Sequence, residues 1–210
     1  MLKSLLLALA LAAAGAAHAQ SQFVAGTDYS ELRPGISTDN PAKIEVVEFF
    51  WYGCPHCYDL EPRLTKWVSE LPKDVDFKRV PAPFNNQWAI AGRVYYTLEA
   101  LGAVEKLHGP LFDAIHRDGL RITNERAMLE WVGKQGLDTQ KYSAAYRSFT
   151  VESKLKRAAQ VTQASGIDGV PALMVNGKYV VNAQQGQTRE RMLAVADSLI
   201  ARARKEMAKK

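Results

Sequence analysis

Ile44-Glu45-Val46-Val47-Glu48-Phe49-Phe50, running through Trp51-Tyr52-Gly53 into Cys54-Pro55-His56-Cys57, carries the information on which the rest of the chain is read. The first seven residues are apolar on both alternating faces apart from the two glutamates, the pattern of a central strand covered on both sides. Cys54 and Cys57 are the only 2 cysteines in 210 residues. A bridge between residues three apart closes so short a loop that it removes little entropy from the unfolded chain. Such a pair suits being made and broken rather than stapling a fold.

A helix is expected to open at Cys54, with Pro55 in its first turn where a missing N–H is harmless, and to end near Leu71-Pro72. Val75 to Val80 reads as the next strand. Together these make a βαβ unit with the cysteines at the carboxyl end of its first strand, where open α/β sheets place their sites. Upstream, residues 20–43 read as an extended lead-in with one short strand near Tyr29 to Leu32.

From Asn86 to Ser165 the periodicity becomes helical throughout. Trp88, Ala91, Val94, Tyr95, Leu98 and Leu101 form one stripe, and Leu107, Leu111, Phe112 and Ile115 another. Met128, Trp131 and Val132 follow, then Tyr142, Ala145, Tyr146 and Phe149, then Leu155, Ala158, Ala159 and Thr162; all are read as core. Strand character returns at Ala172 to Val175 and Lys178 to Val181, and the Asn176-Gly177 pair between them is a strong hairpin signal. A closing amphipathic helix from Thr188 carries Met192, Leu193, Ala196, Leu199 and Ile200.

The amino terminus reads as a secretory signal over residues 1–19, with Lys3 as its positive start, an apolar stretch from Leu5 to Ala17 and a cleavage pattern at Ala17-His18-Ala19. The mature chain would begin at Gln20, leaving 210 − 19 = 191 residues and a charge of 26 − 22 = +4 once Lys3 is removed from the 27 basic residues. That modest balance is spread along the chain. The cluster Arg202, Arg204, Lys205, Lys209 and Lys210 is expected to complement a helix dipole as a solvated tail, not to bind nucleic acid or membrane. An exported protein lives where disulfides persist, yet this one has no distant cysteine pair, so oxidation is read as its task.

A cysteine at the start of a helix meets unsatisfied N–H groups and the positive end of the dipole, which favour its thiolate. Cys54 holds that position and is the expected nucleophile; Cys57, one turn further in and less accessible, is the expected resolving thiol. His56 could add charge or a hydrogen bond to the Cys54 thiolate, and Pro55 stiffens the turn. Zinc needs four ligands, or three and a water, and beyond the two thiolates and His56 the mature chain offers only His108 and His116, read as surface or packing residues. A c-type haem needs histidine directly after the second cysteine, where Tyr58 stands. No metal, flavin or nicotinamide is expected.

With Glu48-Phe49-Phe50, the Cys54 to Tyr58 run, Gly169-Val170-Pro171-Ala172 and Val175 to Tyr179 in that order, the chain resembles the DsbA family of bacterial periplasmic thiol:disulfide oxidoreductases. The similarity covers most of the mature chain. It implies an α/β thioredoxin fold, a central mixed sheet flanked by helices, with an inserted all-helical domain. On that basis residues 20–85 and 166–210 form the thioredoxin-like domain and 86–165 the helical insertion.

The resemblance also implies that Pro171 is a cis-proline facing the active site, that Val170 presents its backbone to a client peptide, and that Glu48 is a buried acid relaying the proton of Cys57. Either Lys78 or Arg79 would be its basic partner; the spacing around Pro81 and Pro83 leaves both open. The implied activity is a periplasmic dithiol oxidase that passes the Cys54–Cys57 disulfide to exported proteins with free thiols. A quinone-linked membrane protein of the DsbB type would re-oxidise it, and a monomer is expected.

Overall fold

Every residue of Ile44–Phe50 is buried, including both glutamates. The structure is a computed structural model that describes residues 23–209; the signal segment 1–19 and the start at Gln20 lie outside the described residues. Among those residues, five strands form one mixed sheet: β1 (Ser30–Glu31), β2 (Ile44–Phe50), β3 (Val75–Pro81), β4 (Ala172–Val175) and β5 (Tyr179–Asn182). Their order is β1-β5-β4-β2-β3. Strand β2 runs parallel to β3 and antiparallel to β4, so both of its edges are paired, as an apolar strand without a solvent face requires.

Alternation divides the sheet residues between two cores. Ile44, Val46, Leu173, Val175, Tyr179 and Val181 pack with Leu60 and Leu64 of helix α1 (Pro55–Ser69) and with Val195, Ala196 and Leu199 of the closing helix, α8 (Arg189–Met207). Val47, Phe49, Ala172, Met174 and Val180 face the other way, toward Ile167. Between β3 and β4 lie α2 (Asn86–Ala100), α3 (Val104–His116), α4 (Glu125–Lys134), α5 (Thr139–Tyr146) and α6 (Phe149–Ala164). A short α7 (Ala183–Gly186) precedes α8.

Side chains of Asn85, Asn124, Asp138 and Ser148 accept hydrogen bonds from the first-turn N–H groups of α2, α4, α5 and α6. These caps punctuate the long helical stretch by satisfying donors that have no partner within the helix. The end of β2 enters the helical core directly: Phe50 and Tyr52 are fully buried against Tyr95, Leu107, Leu111 and Phe112. The strand that leads to Cys54 is therefore anchored in both layers.

Two residues expected in the helical core lie outside it. Phe149 is 84% exposed. It is the first residue of α6, after the Ser148 cap, so a stripe counted from Tyr146 to Phe149 crosses from one helix into another. Val151 fills the interior instead, and Ala159 falls off a buried row formed by Leu155, Ala158 and Thr162. The basic cluster is also more than a solvated tail: Arg204 grips Asp74 at 2.6 Å, and Arg202 pairs with Glu31 at 3.2 Å. These contacts tie α8 back to the sheet.

The β4–β5 hairpin turns through Asn176 and Gly177 with φ of 54° and 62°, the two positive values that a type I′ turn needs. The lead-in chain crosses it closely, with Ile36 N donating to Gly177 O at 2.7 Å. A Cβ at Gly177 would lie 1.9 Å from Ile36 O. Gly177→Ala is expected to cost about 2 kcal/mol or more, lowering the unfolding midpoint by roughly 4–8 °C in a thermal melt; an unchanged midpoint would contradict this packing.

Candidate active site

Cys54 is the N-cap of α1, with extended backbone (φ −87°, ψ 115°), and Pro55 is the first helical residue. The N–H of Cys57 donates to Cys54 Sγ at 3.4 Å, so one of the donors that the helix start leaves free is spent on sulfur. Cys54 and Cys57 are both free thiols here. Their environments differ sharply. The Cys57 thiol, the backbone N–H groups of Cys57 and His56, and the charge of His56 together outweigh burial and bring the Cys54 thiol down to about 6. Burial and the neighbouring Cys54 push the Cys57 thiol well above its ordinary value.

Beneath the cysteines lies a buried chain of charged groups. Glu48 and Arg79 are register partners on β2 and β3 and therefore share a face. Arg79 Nε stands 3.1 Å from Glu48 Oε2, but the two are not aligned as a hydrogen bond, and both Glu48 oxygens lack a hydrogen-bond partner. Burial consequently lifts the Glu48 carboxyl to about 8 against the pull of Arg79. Lys78 is opposite Val47 and reaches Glu45 and Asp39 at 2.7 Å each, on the other face. Arg79, not Lys78, is thus the partner of Glu48.

Glu61, unassigned in the sequence, completes this chain. It lies four residues after Cys57, one turn along the same face of α1. Its Oε1 accepts from Arg79 at 2.8 Å and from Thr65 at 2.7 Å. That i, i+4 relation was its available signal. His108 is also drawn in: it is 4% exposed, and Tyr52 Oη lies 2.8 Å from its Nδ1. His116 engages the carbonyl of Tyr52 through Nε2 at 2.8 Å and stacks on Tyr58. Both histidines hold the segment between β2 and α1 in place.

The loop before β4 closes over the sulfur. The Val170–Pro171 peptide is cis, and Val170 O lies 3.5 Å from Cys54 Sγ. Residues 168–171 and the α7–α8 region border a groove of about 430 Å³, which includes His56, Val170, Pro171, Gln184 and Arg189. Arg189 Nη2 lies 3.1 Å from His56 Nδ1 and donates to Asp59 at 3.0 Å. On the other side, Trp51 stacks flat on Trp88 at 4.3 Å, leaving no room for a side chain at Gly53.

A DSBA-like thioredoxin domain model matches residues 73–194. A thiol:disulfide interchange protein DsbA from Azotobacter vinelandii is 45% identical over 175 residues, 83% of this chain and 82% of that protein. The chain belongs to the DsbA-like thioredoxin family. It is a thiol:disulfide oxidoreductase by that membership. The DsbA of Pseudomonas aeruginosa is 36% identical over 206 residues, 97% of this chain and 98% of its own length. The crystal structure of Pseudomonas aeruginosa DsbA superposes with a TM-score of 0.85 at 38% identity, covering 90% of this chain and 97% of that one. An oxidoreductase DsbA from Xylella fastidiosa gives 0.81 at 32% identity, covering 86% and 97%. The thioredoxin fold with its helical insertion is thus the family's fold.

The Glu48 carboxyl titrates near 4.5 when unfolded and near 8 in the fold. Between those values folding takes up a proton, so this group's contribution to stability is greatest at low pH and declines as pH rises through the window. In denaturant titrations, Glu48→Gln should show a shallower loss of unfolding free energy between pH 5 and pH 8 than the parent, by more than about 1 kcal/mol. Parallel profiles would place no titrating carboxyl there.

Proposed function

We propose that the chain is a periplasmic dithiol oxidase that donates a Cys54–Cys57 disulfide to exported proteins with free thiols. The observation that carries this is the opposed environment of two cysteines three apart, one held as an anion at a helix start and one buried as a thiol. At pH 7 a thiol with a pKa near 6 is about nine-tenths ionised, which lowers the free energy of the reduced form by roughly 1–2 kcal/mol relative to an unshifted thiol. The bridged form is correspondingly more oxidising.

A client thiolate attacks Cys54 Sγ, the more accessible sulfur, forming a mixed disulfide while the Cys54–Cys57 bond breaks and its electron pair leaves on Cys57. Cys57 is a poor leaving group without a proton, and Glu48, protonated over much of the neutral range, supplies it. A second client thiolate then attacks the client sulfur of the mixed disulfide, and Cys54 departs as a stabilised thiolate. The client loses two electrons; Cys54 and Cys57 gain them. Low pKa at Cys54 makes this second departure fast.

Val170 supports the same reading of client binding. Its N–H and C=O enter no backbone hydrogen bond among the described residues, and its carbonyl lies beside Cys54. An extended client segment can pair with this edge as an added strand, with Pro171 holding the loop against the sulfur and His56 at the groove rim. Re-oxidation reverses the flow: a DsbB-type membrane partner accepts the two electrons, and Glu48 takes the proton of Cys57. The oxidase works as a monomer in this scheme.

The test uses a reduced, unfolded protein with two cysteines, incubated with the oxidised parent and with cysteine variants pre-activated as mixed disulfides. With a single-cysteine form of that client, which has no second thiolate to release it, Cys57→Ser should accumulate a stable adduct at Cys54, visible on non-reducing gels, whereas Cys54→Ser should form no client disulfide with the two-cysteine protein. Client oxidation by Cys54→Ser at the parent rate would overturn the assignment.

A further inference from the structure

His108 reaches into the active-site chain from the helical layer, and its two ring nitrogens are differently engaged. Nδ1 lies 2.8 Å from Tyr52 Oη. Nε2 stands 3.5 Å from Glu61 Oε2, and each of these two buried atoms lacks an aligned hydrogen-bond partner. Glu61 Oε1, by contrast, already accepts from Arg79 and Thr65. Nε2 is therefore the polar group that faces the unfilled oxygen.

The proton positions follow from satisfaction of these groups. Burial pushes the Tyr52 phenol well up, so it stays protonated, and among the described residues its hydroxyl has no other hydrogen-bond partner than His108. If Tyr52 donates to Nδ1, the neutral imidazole carries its hydrogen on Nε2 and points it at Glu61. The opposite tautomer would leave the Tyr52 hydrogen without an acceptor and aim a lone pair at a carboxylate. Burial also disfavours the charged imidazole. The groups facing His108 from neighbouring elements are Tyr52, Glu61 of α1, Arg79 of β3 and Tyr95 of α2, with Glu105 on its own helix.

We propose that His108 is a positioning residue of the redox centre: oriented by Tyr52, it turns Nε2–H toward Glu61 and keeps that carboxyl ionised and closed on Arg79, leaving Glu48 to hold the proton exchanged with Cys57. Arg79 stands between two carboxylates, and what Glu61 claims of its charge Glu48 does not receive. Loss of His108 would remove the polar group that faces Glu61 Oε2, favour protonation of Glu61, and turn Arg79 toward Glu48. Glu48 would then ionise at lower pH and carry the proton less often at neutral pH.

This inference rests on Glu48 acting as the proton group for Cys57, and the experiment separates the two. The pH profile of client oxidation is compared in the parent, Glu48→Gln, His108→Leu, His108→Gln and Tyr52→Phe, alongside carboxyl-carbon NMR titration of the reduced forms. His108→Leu should move the Glu48 midpoint down by about one pH unit, a tenfold change in its ionisation constant, and shift the oxidation profile the same way. His108→Gln, which can both accept from Tyr52 and donate to Glu61, should restore most of the parent behaviour. Tyr52→Phe should shift the midpoint in the same direction, and the Tyr52→Phe, His108→Leu double variant should shift no further than His108→Leu alone.

An unchanged Glu48 midpoint in a folded His108→Leu protein would overturn the role of His108. Additive shifts in the double variant would overturn it equally. A pH profile insensitive to Glu48→Gln would instead remove the relay beneath Cys57. If His108→Leu does not fold, His108→Gln and Tyr52→Phe carry the test: a Glu48 midpoint unmoved by Tyr52→Phe contradicts the wiring.

Discussion

The donation of the Cys57 N–H to Cys54 Sγ is the contact around which the site is organised. It exists because α1 begins at Pro55, so that the sulfur of the preceding residue sits where a helix has donors without acceptors. That start in turn depends on β2, whose burial on both faces and pairing on both edges fixes the point at which the chain leaves the sheet. Phe50 and Tyr52, packed into the helical layer, and the carbonyl of Val170 on the other side confine the sulfur between two parts of the chain more than a hundred residues apart.

The arrangement places electrostatic cost where the chemistry uses it. A buried carboxyl without an aligned donor, such as Glu48, is unfavourable, and replacement by an apolar residue would relieve it. On the function proposed above, its place beside Arg79 and Glu61 gives the buried thiol a group that can hold or release a proton near neutrality. Glu61 stays ionised because Arg79, His108 and Thr65 face it, whereas Glu48 has Arg79 alone. Two carboxyls along one path are thus divided into a permanent anion and a titrating acid by what surrounds each of them.

Much of the fold was legible because its signals are local. The apolar run of β2, the proline at the start of α1, the Asn176-Gly177 turn and the amphipathic closing helix are each specified within a few residues of themselves. The nonlocal features were not. Lys78 and Arg79 are adjacent in sequence, and only the β2–β3 register puts Arg79 on the face of Glu48. Glu61 carried a readable sign in its i, i+4 spacing from Cys57, while His108 carried none, since its meeting with Tyr52 joins residues 56 apart. The stripe ending in Phe149 failed because periodicity does not reveal that one helix has stopped and another begun.

The central claim is that the surroundings of Cys54, rather than any property of cysteine itself, make its anion the resting state of the reduced protein. Ultraviolet thiolate absorbance of the reduced chain, titrated with pH and compared with Cys57→Ser to assign the transition, addresses it directly. A single transition with its midpoint near pH 6 is the expected result. A midpoint at about 8.5, the ordinary value for a cysteine thiol, would contradict the account.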